Sequence, residues 1–216
     1  MSGAHSDGAV RATAGLLFAV VLHNLIYPVS QQGMAGAVVF YVFYGGMYVV
    51  WTWLLSHDKR LRMAALVTGL AVFAAGIANA GMGTSVTAVA VFVTSIAYHL
   101  VIIVVLGIYI FAARKVFTEI ILAATSLYLI LGSGFAAVFA LIEWLQPGSF
   151  VGANGGVTAW QELLYFSYVT LTSLGYGDIL PVKYYAQAFA AFEAIVGVLY
   201  TVILLSRLVG MHSARE

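Results

Sequence analysis

Residues 170–178, Thr170-Leu171-Thr172-Ser173-Leu174-Gly175-Tyr176-Gly177-Asp178, decide how the rest of this chain is read. Gly-Tyr-Gly alone belongs to many glycine-rich turns, because glycine reaches dihedrals that a Cβ resists. The surroundings set this copy apart. Residues 159–171 suit a short helix, Asp178 follows the triplet, and 184–209 is an apolar run of membrane length. A helix needs about 20 apolar residues to cross a bilayer, so 159–171 is too brief and reads as a re-entrant helix enclosed by protein.

In that setting Ser173-Leu174-Gly175-Tyr176-Gly177 resembles the selectivity-filter signature of potassium channels, usually written T-V-G-Y-G. The resemblance covers about residues 117–210. It implies that backbone carbonyls of Ser173, Leu174, Gly175 and Tyr176 replace the water around a dehydrated K+ ion. Gly175 and Gly177 permit the one-sided aim of those carbonyls, Ser173 adds a hydroxyl at the inner end, and Tyr176 faces away to wedge the strand. Thr170, Thr172, Asp178, Tyr165 and Phe166 are expected to support the filter, the last two where a tryptophan pair is common in the family. Ser173 stands in place of the usual threonine and Leu174 in place of valine. Val169 stands where some potassium channels carry a glutamate. K+ is the permeant ion and no cofactor is implied. One filter without an internal repeat implies a homotetramer. Membrane lipids are the other partners, and nucleic acid is not expected.

Around the filter, Gln146-Pro147-Gly148 ends an apolar span, 152–156 is a flexible outer loop, and Thr158 suits an N-cap with Gln161 as its partner. The carbonyls ending the short helix point toward the centre of the membrane and favour a cation there. Glu193 is the acidic residue placed well inside a span, where a carboxylate costs several kcal/mol unless paired, hydrated or protonated. It lies one helical turn before Gly197, which stands where the resemblance places a gating hinge. Two readings are open for Glu193. It braces the filter through the hydroxyls of Thr170, Thr172 or Ser173, or it packs as a neutral carboxyl. Val198, Thr201, Leu205 and Val209 recur at helical spacing and line an inner cavity in this reading, although lipid-facing packing has the same period. Arg207 snorkels to the headgroups.

The composition agrees with a membrane protein: 63% of the 216 residues are hydrophobic and 8% charged, with a mean hydropathy of +1.02. A formal charge of +1 offers no field for nucleic acid, and the absence of cysteine excludes disulfides. Spans are expected at 12–29, 35–55, 63–82, 85–113, 117–145 and 184–209. The expected fold is therefore an all-α membrane protein with six transmembrane helices, a re-entrant pore helix and a selectivity filter, homotetrameric. Its parts are a cytoplasmic N-terminus at 1–11, a four-helix region at 12–113, a pore domain at 114–210 and a tail at 211–216. Arg11, Lys59, Arg60, Arg62, Arg114, Lys115, Arg207 and Arg215 then share one side and Lys183 the other, a bias that puts both termini in the cytoplasm of a plasma or inner membrane. Glu143, Glu162 and Asp178 fall at the outer mouth.

Six spans with a pore between the last two resemble voltage-gated channels, yet 85–113 has no arginine or lysine to carry gating charge. Weak voltage dependence, and no enzymatic activity, are expected. Two alternatives are carried: a non-selective cation channel of the same architecture, and a membrane haem or quinone oxidoreductase using His23 and His99.

Overall fold

The computed structural model describes residues 2–26, 28–29, 33–56, 58–113, 118–152, 155 and 159–213, without the side chains of 2–7, 47–48, 51–52, 54 and 208–213. Helix α1 (Ser2–Ile26) leads to α2 (Gly33–Tyr41), a π-helical segment (Val42–Met47) and α3 (Tyr48–Leu55). Then come α4 (Lys59–Met82), α5 (Ser85–Ala112), α6 (Thr118–Leu145), β1 (Phe150–Gly152), α7 (Trp160–Leu171), β2 (Ile179–Pro181) and α8 (Tyr184–Ser213).

Local chemistry sets the helix ends. The Asp58 carboxylate accepts the Arg60 N–H at 2.7 Å and opens α4. Gly83 closes it at φ +58°, a left-handed position that glycine takes without penalty, and its N–H reaches the Asn79 carbonyl at 2.9 Å. Thr84 and Thr87 exchange backbone and hydroxyl bonds in a capping box that starts α5 at once. The two helices form a tight hairpin.

The fold corrects the expectation of six transmembrane helices. Among the described residues, five helices are long and apolar enough to cross a membrane: Gly8–Ile26, Lys59–Met82, Ser85–Ala112, Thr118–Leu145 and Tyr184–Arg207. The stretch 35–55, expected as a span, is not a single α-helix. Its ladder widens to the π pattern at Val42–Met47, between α segments of 9 and 8 residues. Gly45, within the widened turn, packs directly on α4: a Cβ there would meet the Gly69 carbonyl at 3.1 Å. The Tyr98 hydroxyl of α5 donates to the Gly45 carbonyl at 2.9 Å. Partners on α4 and α5 thus occupy the backbone that the irregular turn exposes.

Helix α6 is the spine, packing against α1, α5, α7 and α8. Leu16 and Val20 of α1, Ile102 and Leu106 of α5, and Ala123 and Ile130 of α6 are buried in one core. A second core joins α6 to α7 through Phe139, Phe150 and Phe166, whose rings meet edge-on at 5.2–5.3 Å. Apolar side chains such as Leu100 and Ile108 are left exposed, as lipid-facing positions require.

Between α6 and α8 the chain is pinned at both ends of a loop. Strands β1 and β2 pair antiparallel with Phe150 opposite Pro181 and Gly152 opposite Ile179. Glu143, near the end of α6, is buried. Its carboxylate accepts the backbone N–H groups of Gly148 and Ser149 at 2.8 Å and of Phe150 at 2.9 Å. Three charge-assisted bonds fold the chain back toward the pair.

Candidate functional site: a re-entrant helix and the strand that leaves it

Helix α7 has 12 residues, about 18 Å at 1.5 Å per residue, so it cannot cross a bilayer. It starts at Trp160, where Glu162 reaches back to accept the Ala159 N–H at 2.8 Å. The expected cap Thr158 lies outside the described residues. Its far end is closed by a Schellman motif: the Leu174 N–H bonds the Val169 carbonyl and the Ser173 N–H the Thr170 carbonyl, both at 2.9 Å. Ser173 takes the left-handed place, φ +57°, usually given to glycine. The Thr172 hydroxyl turns back onto the Tyr168 carbonyl at 2.7 Å.

Beyond that cap the backbone alternates. Ser173, Gly175 and Gly177 have φ of +57°, +58° and +77°, while Leu174 and Tyr176 between them do not. In a regular strand successive residues face opposite ways. Reversing the sense of φ at every second residue turns alternate peptides over, which lets neighbouring carbonyls share one side. Residues 172–178 are exposed, Leu174 at 56% and Tyr176 at 66%.

The two expected cuff residues part company. The Tyr165 hydroxyl donates to Asp178 Oδ2 at 2.7 Å, tying α7 to the strand's outer end, and this bond pushes the phenol pKa up to about 12. Phe166, one residue on, is buried against Phe139 and Phe150 and supports the core behind α7 rather than the strand.

Behind α7 lies a buried polar contact. Glu193 of α8 is fully buried, and its Oε1 lies 2.5 Å from the Ser167 hydroxyl, which also reaches the Gly132 carbonyl of α6 at 2.6 Å. Oε2 has no hydrogen-bond partner among the described residues. Of the hydroxyls expected to meet Glu193, those of Thr170, Thr172 and Ser173, none is the partner observed here; sequence reasoning missed Ser167. Gly132 must be small, since a Cβ would fall 2.4 Å from the Tyr168 ring.

Four turns into α8, Gly197 touches the end of α7: its Cβ would stand 2.0 Å from the Leu171 carbonyl oxygen, which also accepts the Tyr128 hydroxyl at 3.2 Å. Helix α8 runs unbroken through Gly197, and the Thr201 hydroxyl bonds the Gly197 carbonyl at 3.0 Å. Val198 and Leu205 are half-exposed or more, at 50% and 60%. The Val209 side chain lies outside those described.

His23 and His99 do not frame a haem slot. The Tyr44 ring stands between them, stacked on His23 at 4.6 Å and 5.7 Å from His99. His99 Nδ1 lies 2.8 Å from the Ser95 carbonyl, which can only accept, so this nitrogen carries the proton. Nε2 faces the Ser133 hydroxyl at 3.1 Å. Both ring nitrogens of His99 are engaged.

Residues 115–213 match a family model described as ion channel. Two pore potassium channel c of Oryza sativa subsp. japonica is 35% identical over 82 residues, which cover 38% of this chain and 16% of that protein. This chain thus spans a small part of that relative's length. No solved structure matches. Two expectations are overturned, the six-span subunit and the homotetramer. The similar protein is named for two pores, and a subunit with two pore segments supplies two filter strands, so counting chains by one filter each does not hold. The matched segment contains the re-entrant helix, the alternating strand and the helix behind them, and over residues 115–213 the chain is similar to ion channels.

Proposed function

We propose that the chain conducts K+ passively and selectively, with the carbonyls of Ser173, Leu174, Gly175 and Tyr176 as the filter. The observation that carries the reading is the alternation of φ across Ser173, Gly175 and Gly177, directly after a capped re-entrant helix. A strand exposed on this scale at membrane depth needs other pore segments or water along its face, because unpaired backbone is not tolerated against lipid. A ring of such segments around an ion column meets that need.

Asp178, Tyr165, Thr170 and Thr172 hold the strand to α7. Glu193 braces α7 through Ser167, and Gly197 seats α8 on the helix end. Val198, Thr201 and Leu205 face the conduction path below. Helix α5 carries no arginine or lysine from Ser85 to Ala112, so opening is not steeply voltage-dependent. The chain sits in a plasma or inner membrane, and the exposed apolar faces of the helices meet its lipids.

Purified full-length chain in liposomes loaded with KCl tests the reading. Potassium flux that greatly exceeds sodium flux supports it, and equal fluxes of the two ions leave the non-selective alternative. Gly177→Ala, which forces a Cβ onto φ +77°, is expected to lower the ratio.

A further inference from the structure

A cavity of about 140 Å³ lies between the first helices and the pore module. Its walls are aromatic and small: Phe40 and Tyr41 from α2, Phe92 from α5, Ala137 from α6, and Trp160 and Leu164 from α7. Hydroxyl and imidazole groups gather at one side, where the Tyr44 hydroxyl lies 2.5 Å from Ser95 Oγ and His99 reaches Ser133 at 3.1 Å. No Asp, Glu, Lys or Arg is among the described lining residues.

Three properties define what such a space accepts. A cavity of roughly 150 Å³ holds one benzene ring. A charged guest would be buried without a counter-ion, which excludes ions. Water needs two to four polar partners to settle, while Tyr44, Ser95, His99 and Ser133 spend hydrogen bonds on one another. A flat, neutral arene with one polar substituent fits both the aromatic wall and the polar side.

We infer that this cavity is a binding site for a neutral, phenol-sized aromatic molecule. Because Trp160 and Leu164 belong to the re-entrant helix, a guest touches the pore module directly, at the end opposite the filter cap. The irregular turn at Val42–Met47 is what creates the polar side: it carries Tyr44 to Ser95 and His99. Binding is a property of the first helices with α6 and α7, and it does not require that the strand conduct.

The test uses the full chain in lipid nanodiscs and 4-fluorophenol, followed by fluorine NMR against empty nanodiscs. Saturable binding is expected, with 4-fluorobenzoate at least tenfold weaker. Ala137→Phe and Ala88→Phe fill the space from α6 and α5 and are each expected to weaken binding at least tenfold. A phenol bearing a diazirine is expected to label peptides containing Ser95 or Ala137 in the wild-type chain, which needs no variant to fold. Absence of saturable binding, labelling confined to other helices, or equal binding of the benzoate overturns the proposal. Since none of these measures ion flux, their failure is distinct from failure of the channel reading.

Discussion

The carbonyl oxygen of Leu171 lies where a Cβ on Gly197 would come within 2.0 Å of it, so α8 meets the last turn of α7 backbone to backbone. That contact sets how closely the inner helix approaches the filter cap. No flexible side chain is present to yield.

Gly197→Ala should therefore push α8 off α7. Overpacking of this kind costs about 1–3 kcal/mol. Thermal unfolding in detergent is expected to show a lowered midpoint for Gly197→Ala. Gly107→Ala, where nothing lies within 4 Å of the added methyl, should be neutral or slightly stabilising. Equal midpoints for the two variants would remove the seating role.

Ser167 and Glu193 should act as one unit. Ser167→Ala leaves the buried carboxyl without its partner, a loss of about 1–3 kcal/mol, whereas Glu193→Gln keeps the shape and can still bond Ser167. Glu193→Val removes both functions and should shorten open lifetimes or hasten inactivation more than Glu193→Gln. Combining Ser167→Ala with Glu193→Val should add little to either alone in a double-mutant cycle. Strict additivity of the two would show that the contact carries nothing.

This pair also shows how much of the site was legible. Both α7 and α8 run in from the same loop region. Glu193 is nine residues beyond Tyr184 and Ser167 seven beyond Trp160; Gly197 is thirteen beyond and Leu171 eleven. The same offset of two at both contacts, at 1.5 Å per residue, leads to Ser167. Measuring depth from the filter instead pointed to Thr170, Thr172 and Ser173. The filter strand itself was readable because glycine at alternate positions has a backbone meaning. Phe166 is turned about 100° from Tyr165 and packs on Phe139 and Phe150, partners far away in the sequence that its composition does not announce. The break at Val42–Met47 was hidden, since Gly45 and Gly46 sit in a run apolar on every side and the turn is fixed by partners on other helices. Spans of that composition carry no periodic signal to separate core from lipid face.

Tyr165→Phe should loosen the strand's outer end. The phenol pKa is raised from 10.0 to about 12 by the bond to Asp178, so the tie is complete below pH 10 and is lost as pH climbs through 12. Inactivation should accordingly be flat in pH from 7 to about 9.5 in the wild type as far as this pair is concerned. Tyr165→Phe should inactivate faster throughout that range. Identical inactivation in the two proteins would show that the bond is idle.

Conductance should rise gently with voltage. One elementary charge moved through 100 mV is worth about 2.3 kcal/mol, and steep opening needs several. Helix α5 offers none between Ser85 and Ala112. A conductance–voltage curve in planar bilayers as steep as that of arginine-bearing channels would require gating charge from elsewhere in the chain.

Selectivity at Ser173–Gly177 is the central claim, and a bi-ionic reversal potential measures it most directly. With KCl on one side of a planar bilayer and NaCl on the other, tenfold preference for K+ displaces the reversal potential by ~59 mV. The wild-type chain is expected to exceed that displacement, and Tyr176→Asp to fall well short of it. A wild-type reversal potential at zero, with channels plainly open, would contradict the account.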